Sequence, residues 1–104
     1  MKNEASINTI CKKIKNMLTN SEVYLFGSRA RGGYNQESDY DILIVVQENL
    51  SPKEKIKIRS TLRNELSREY IYADIILQSN EEIESKRNIP GNVIHYAMKE
   101  AVKL

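Results

Sequence analysis

Three aspartates and one glycine-rich loop are the residues whose types and spacing could do chemistry in this sequence. Asp39 and Asp41 stand two residues apart at the head of an apolar run that continues through Ile42-Leu43-Ile44-Val45-Val46. On an extended strand, residues i and i+2 share one face. Two carboxylates side by side repel each other, and burying them without compensation is costly. A divalent cation removes that problem. Magnesium prefers hard oxygen ligands from one or two carboxylates, completed by water and substrate phosphates. Asp74 is the only acid within a second apolar run, Tyr72-Ala73-Asp74-Ile75-Ile76-Leu77. If the two strands lie side by side, Asp74 faces the pair and completes a two-metal site.

The loop Gly27-Ser28-Arg29-Ala30-Arg31-Gly32 follows a third apolar run, Val23-Tyr24-Leu25-Phe26. Gly27 allows a tight turn and close approach of backbone to a ligand. Ser28 offers a hydroxyl and a backbone N–H. If a helical turn begins here, its free N–H groups suit a phosphate. Arg29 and Arg31 can each donate paired hydrogen bonds to phosphate oxygens. Metal carboxylates and an anion cradle are thus expected on adjacent strand ends, which is the equipment of nucleotidyl transfer.

Each part alone is weak. An isolated Asp-x-Asp is usually a surface or turn pair, and an isolated Gly-Ser-Arg is usually a loop. The three segments in this order, each beside an apolar run, rarely coincide by accident. Other candidates carry less. His95 has no second histidine to pair with and reads as a packed or exposed helix residue. Lys53, Lys55 and Lys57 read as a solvated helix face. Tyr24, Tyr40, Tyr70, Tyr72 and Tyr96 read as core or rim. Tyr34 reads as a surface residue between the two motif halves.

The elements that must position these groups follow from periodicity. Ile7, Ile10, Cys11, Ile14, Met17 and Leu18 recur at helical spacing, so a helix is expected from about 5 to 18. Strands are expected at 23–26, 39–46 and 72–77. The second is apolar on both faces beyond Asp41, as a central strand covered on both sides would be. Ser51-Pro52-Lys53-Glu54 is a helix start with a capping box and proline at the first position. Ile58, Leu62, Leu66 and Tyr70 form the expected buried stripe. Ser79-Asn80-Glu81-Glu82 starts another helix. After Pro90-Gly91, a last helix is marked by Ile94, Ala97, Met98, Ala101 and Val102. The class is α/β or α+β: one domain spanning 1–104, with a small mixed sheet flanked by helices.

Composition fits this. The chain has 104 residues and a formal net charge of +2, which does not suggest non-specific nucleic-acid binding. A domain this small buries a modest core, so a partner surface would help it. The single cysteine, Cys11, cannot form an internal disulfide and reads as core filler. No apolar run reaches the length of a membrane span, and the N-terminus has no signal-peptide core. A cytoplasmic setting is expected.

At this point the sequence resembles a known family. Gly27-Ser28-Arg29-Ala30-Arg31-Gly32, then Ser38-Asp39-Tyr40-Asp41-Ile42, then Ala73-Asp74-Ile75-Ile76 are similar to the signature of the polymerase-β-like nucleotidyltransferase superfamily. The length and the GSRARG form are most similar to its minimal branch, MNT. The resemblance covers nearly the whole chain, including Asn92-Val93-Ile94-His95-Tyr96. It implies that Gly27 and Ser28 bind the triphosphate, that Asp39 and Asp41 are paired metal ligands, and that Asp74 helps activate the acceptor hydroxyl. It implies magnesium, two ions, as cofactor and ATP as substrate. Relatives of this size act as antitoxins to a HEPN-domain partner, by binding it or by transferring AMP to it.

Larger relatives carry a second domain for the nucleobase and acceptor. None is evident here, so the acceptor side is expected from another chain or an oligomer. Two alternatives stand beside AMP transfer to a protein: neutralisation of a HEPN partner by contact alone, and transfer to a small molecule of the antibiotic type. Neither a membrane nor a specific nucleic-acid sequence is expected as a partner.

Overall fold

The computed structural model describes residues 2–32 and 39–104, without the side chains of residues 2–4, 28 and 31. Tyr34 and Ser38 therefore lie outside the described residues, as do the side chains of Ser28 and Arg31. The elements run α1 (Lys2–Met17), β1 (Glu22–Phe26), α2 (Gly27–Arg31), β2 (Tyr40–Val46), α3 (Pro52–Ser67), β3 (Ala73–Ser79), α4 (Asn80–Lys86), α5 (Val93–Glu100) and β4 (Val102–Lys103). The sheet order is β3-β2-β1-β4. It is mixed: β2 runs parallel to β3, while β1 runs antiparallel to both β2 and β4.

Alternation along the strands sorts the core into two layers. Val23, Leu25, Tyr40, Ile42, Ile44, Ile75 and Leu77 pack on one face with Ile10 and Ile14 of α1 and Leu62 and Leu66 of α3. Leu43 and Val45 pack on the other with Ile83 of α4 and Ile94 of α5. This is why β2 reads as apolar on both sides: from Ile42 to Val46 every residue is buried.

Two starts are fixed locally. Ser51 caps α3 and Ser79 caps α4, each in a full capping box closed by Glu54 and Glu82. Asn92 caps α5 by accepting from the Ile94 N–H. No helix among the described residues is long and apolar enough to cross a membrane.

The structure corrects four expectations. Tyr70 is not part of the buried stripe of α3. The helix ends at Ser67, and Tyr70 sits in the left-handed region (φ 60°), 83% exposed. There the Ile71 N–H returns to the Leu66 carbonyl and puts Ile71 in the core instead. Of the tyrosines expected in the core or at its rim, Tyr40 is buried and Tyr72 and Tyr96 are exposed. Val102 does not continue the last helix: α5 stops at Glu100, and Val102–Lys103 pair with Tyr24 and Leu25 of β1. β2 begins at Tyr40 and β3 at Ala73, one residue later than expected. Lys55 is not a solvated lysine but reaches across to Glu82 at 2.6 Å.

Candidate active site

The chemistry-bearing residues collect at one end of the sheet, where β1 ends and β2 and β3 begin. The parallel register sets Asp41 directly opposite Asp74. Across the antiparallel pair on its other side, Asp41 stands opposite Phe26, the last residue of β1. Asp41 has the same parity as Leu43 and Val45, and Asp74 has that of Ile76. Both carboxylates therefore belong to the sheet face covered by α4 and α5. Asp74 is exposed and Asp41 is half-buried. Asp39 is exposed just before the first residue of β2. The Tyr40 N–H donates to the Tyr72 carbonyl at 3.0 Å and carries the parallel pairing one step past Ala73.

Gly27 closes this end. The chain passes from β1 into α2 with no intervening loop, and Gly27 makes the turn with φ +73°. A Cβ built at Gly27 would lie 2.1 Å from Oδ2 of Asp41 and 2.9 Å from its Cγ. Only the missing side chain lets the Asp41 carboxylate lie against the backbone at the head of α2. The Gly27 N–H donates to Oε1 of Glu100, the last residue of α5, at 3.2 Å. Gly27 is thus wedged between two carboxylates.

Arg29 lies against the side chain of Tyr40. Its side chain is buried, with its guanidinium 3.9 Å from the centroid of the Tyr40 ring. Tyr40 packs in the layer beneath α1 and α3, the sheet face opposite that of Asp41 and Asp74. A guanidinium over the face of a tyrosine ring is attracted by it. The structure therefore brings together Gly27, Asp41 and Asp74, sets Asp39 beside them in sequence, and pins Arg29 on the other face. Sequence reasoning missed Glu100. Its only signal was a carboxylate placed at a helix C-terminus, where the macrodipole disfavours it.

Among the described residues, no three His, Cys, Asp or Glu side chains stand close enough to hold one metal ion by themselves. The donor set still fits magnesium, which typically takes one or two carboxylates and completes its shell with water and substrate phosphates. A pocket of about 220 Å³ lies at the far end of β2, lined by Leu18, Ser21, Val46 and Leu50 among others. It contains none of the residues above, and the acidic end of the sheet is the better candidate because the chemistry-bearing groups are there.

Comparison with known proteins decides the family. A family model described as the nucleotidyltransferase domain matches residues 6–104. The chain belongs to the nucleotidyltransferase domain family. The match takes in all three strands that carry candidate residues. This nucleotidyltransferase is also 61% identical over 36 residues to a Methanocaldococcus jannaschii protein named "putative protein adenylyltransferase"; the match spans 35% of the chain and 36% of that relative. Its fold is similar to a crystal structure of a "putative nucleotidyltransferase" from Sulfolobus solfataricus, with a TM-score of 0.52 and 25% identity, covering 95% of this chain and 76% of that one. It is also similar to a toxin–antitoxin structure with AMP-PNP, with a TM-score of 0.58, covering 97% of this chain and 71% of that one. At 19% identity, that second likeness is one of fold.

Proposed function

We propose that this nucleotidyltransferase moves AMP from ATP to a hydroxyl of a partner protein of the HEPN type, with release of pyrophosphate, and serves as that partner's antitoxin. The observation that carries the proposal is the alignment of Asp41 with Asp74 on one sheet face, with Gly27 pressed against Asp41. Asp39, Asp41 and Asp74 would hold the magnesium. Bound with the triphosphate, magnesium supplies neutralisation of phosphate charge. The chain's own residues do the positioning. Gly27 admits the triphosphate to the backbone beside Asp41, and Ser28 follows it in the same turn.

In-line transfer puts the attacking oxygen on the side of the α-phosphorus away from the leaving pyrophosphate. With the triphosphate loop on the β1 side of Asp41, the acceptor enters from the β3 side. There Asp74 is exposed, and can orient the hydroxyl and take its proton. The names of two similar proteins, a protein adenylyltransferase and a toxin–antitoxin assembly, support a protein acceptor.

The test is incubation of the chain with ATP, magnesium and a HEPN-domain protein from the same source, followed by intact-mass measurement of both proteins. A gain of one AMP on the partner, lost with Asp74→Asn, is expected. An unmodified partner that is nonetheless neutralised would overturn transfer and leave an antitoxin acting by contact.

A further inference from the structure

α2 begins without a cap of its own. Its N-cap residue is Phe26, whose side chain accepts no hydrogen bond. The first amides of a helix have no partner within the helix and need one from elsewhere. The Gly27 N–H finds it in Oε1 of Glu100, 73 residues away, at 3.2 Å. Glu100 sits at the C-terminus of α5, where a negative charge opposes the helix dipole. Glu100 is half-buried there.

The strand that follows explains how Glu100 reaches its partner. β4 pairs with β1 so that Lys103 is opposite Tyr24 and Val102 opposite Leu25. Ala101, in extended conformation, links β4 back to Glu100 at the end of α5. The Leu104 N–H donates to the Val23 carbonyl at 2.8 Å, and Lys103 pairs with Glu22 at 2.8 Å, so the short strand is anchored along its length. β4 therefore acts as a ruler that delivers one carboxylate to one amide. On the other side of Gly27 lies Asp41.

We propose that Glu100 is a positioning residue for the nucleotide loop: it caps α2 from the far end of the chain and holds Gly27 in the left-handed turn that keeps the backbone against Asp41. The inference rests on the nucleotidyltransferase reading of that loop. Its action is through the hydrogen bond and not through charge, and the two are separable. Glu100→Gln keeps the reach and an acceptor oxygen but removes the charge. Glu100→Asp keeps the charge but withdraws the acceptor by one methylene.

The full-length chain and both variants are titrated with AMP-PNP and magnesium, and exchange of the Gly27 amide is followed by NMR. Expected is binding by Glu100→Gln within about twofold of the parent, and roughly 3- to 10-fold weaker binding by Glu100→Asp, the worth of one hydrogen bond. The Gly27 amide should stay slow to exchange in Glu100→Gln and become faster in Glu100→Asp. Tighter binding by Glu100→Gln would mean that the carboxylate repels nucleotide, and equal binding by all three would mean that it does nothing for the loop. Either result overturns the proposal. If the parent itself fails to bind AMP-PNP, the nucleotidyltransferase reading fails, and the exchange rates still decide whether Glu100 holds the glycine.

Discussion

Gly27→Ala strikes the contact on which the site is built. The added Cβ would lie 2.1 Å from Asp41 Oδ2, where ordinary contact begins at 3.4 Å, so the carboxylate or the loop must retreat by about 1.3 Å. The neighbour is a short, half-buried side chain on a strand whose backbone is paired on both sides, so it has little room to give. The alanine must also adopt φ +73°, at about 1–2 kcal/mol for an L residue. A misplacement near 1 Å of a group that must be held for reaction costs on the order of 100-fold in rate. The stability loss alone should lower Tm by roughly 4–16 °C in a domain of this size. The assay is the initial rate of AMP transfer from labelled ATP, taken well below the variant's Tm, beside a thermal melt. A variant that melts lower yet transfers at the parent rate would refute the idea that Gly27 is glycine for the sake of Asp41.

Four further outcomes follow from the packing. Leu62→Ala removes a fully buried side chain between α3 and the sheet and should cost about 2–5 kcal/mol, read as a fall in the urea midpoint. Ser79→Ala removes the cap of α4 and should cost about 1 kcal/mol by the same measurement. Tyr70→Gly relieves an exposed left-handed residue at the end of α3 and should raise stability by about 0.5–1 kcal/mol; a lower midpoint would show that the tyrosine ring makes a contact that matters. Burial alone would raise the carboxyl of Glu82, but the Lys55 ammonium and the Ser79 N–H hold it below its ordinary value of 4.5. A lowered carboxyl stabilises the fold above its ordinary value and loses that contribution as pH falls through its folded value. The stability advantage of the parent over Glu82→Gln should therefore be full at pH 7 and shrink below about pH 4.5 in acid denaturation.

Much of the frame was legible because its signals are local. Ser51 with Glu54, and Ser79 with Glu82, declare helix starts within four residues, and both capping boxes are present. The two-sided apolar run after Asp41 announces a central strand, and β2 is central. What the sequence did not show depends on pairing at a distance. Val102 and Lys103 fit a helix period as well as a strand, and only their register with β1 makes them β4. Tyr70 falls at helical spacing from Leu66, but the turn that returns Ile71 to the core ends the helix first. The stacking of Arg29 on Tyr40 joins two separate elements and has no local signal. Glu100 gave only the faint signal of a carboxylate at a helix end, because the Gly27 N–H it accepts from lies on another element.

The measurement that bears most directly on the central claim compares ATP labelled at the α-phosphate with ATP labelled at the γ-phosphate, supplied to the chain and its partner protein. Nucleotidyl transfer at the Asp41–Asp74 pair predicts that only the α-label is retained on the partner, and that Asp41→Asn abolishes its retention. Retention of the γ-label, or undiminished α-labelling by Asp41→Asn, would contradict it.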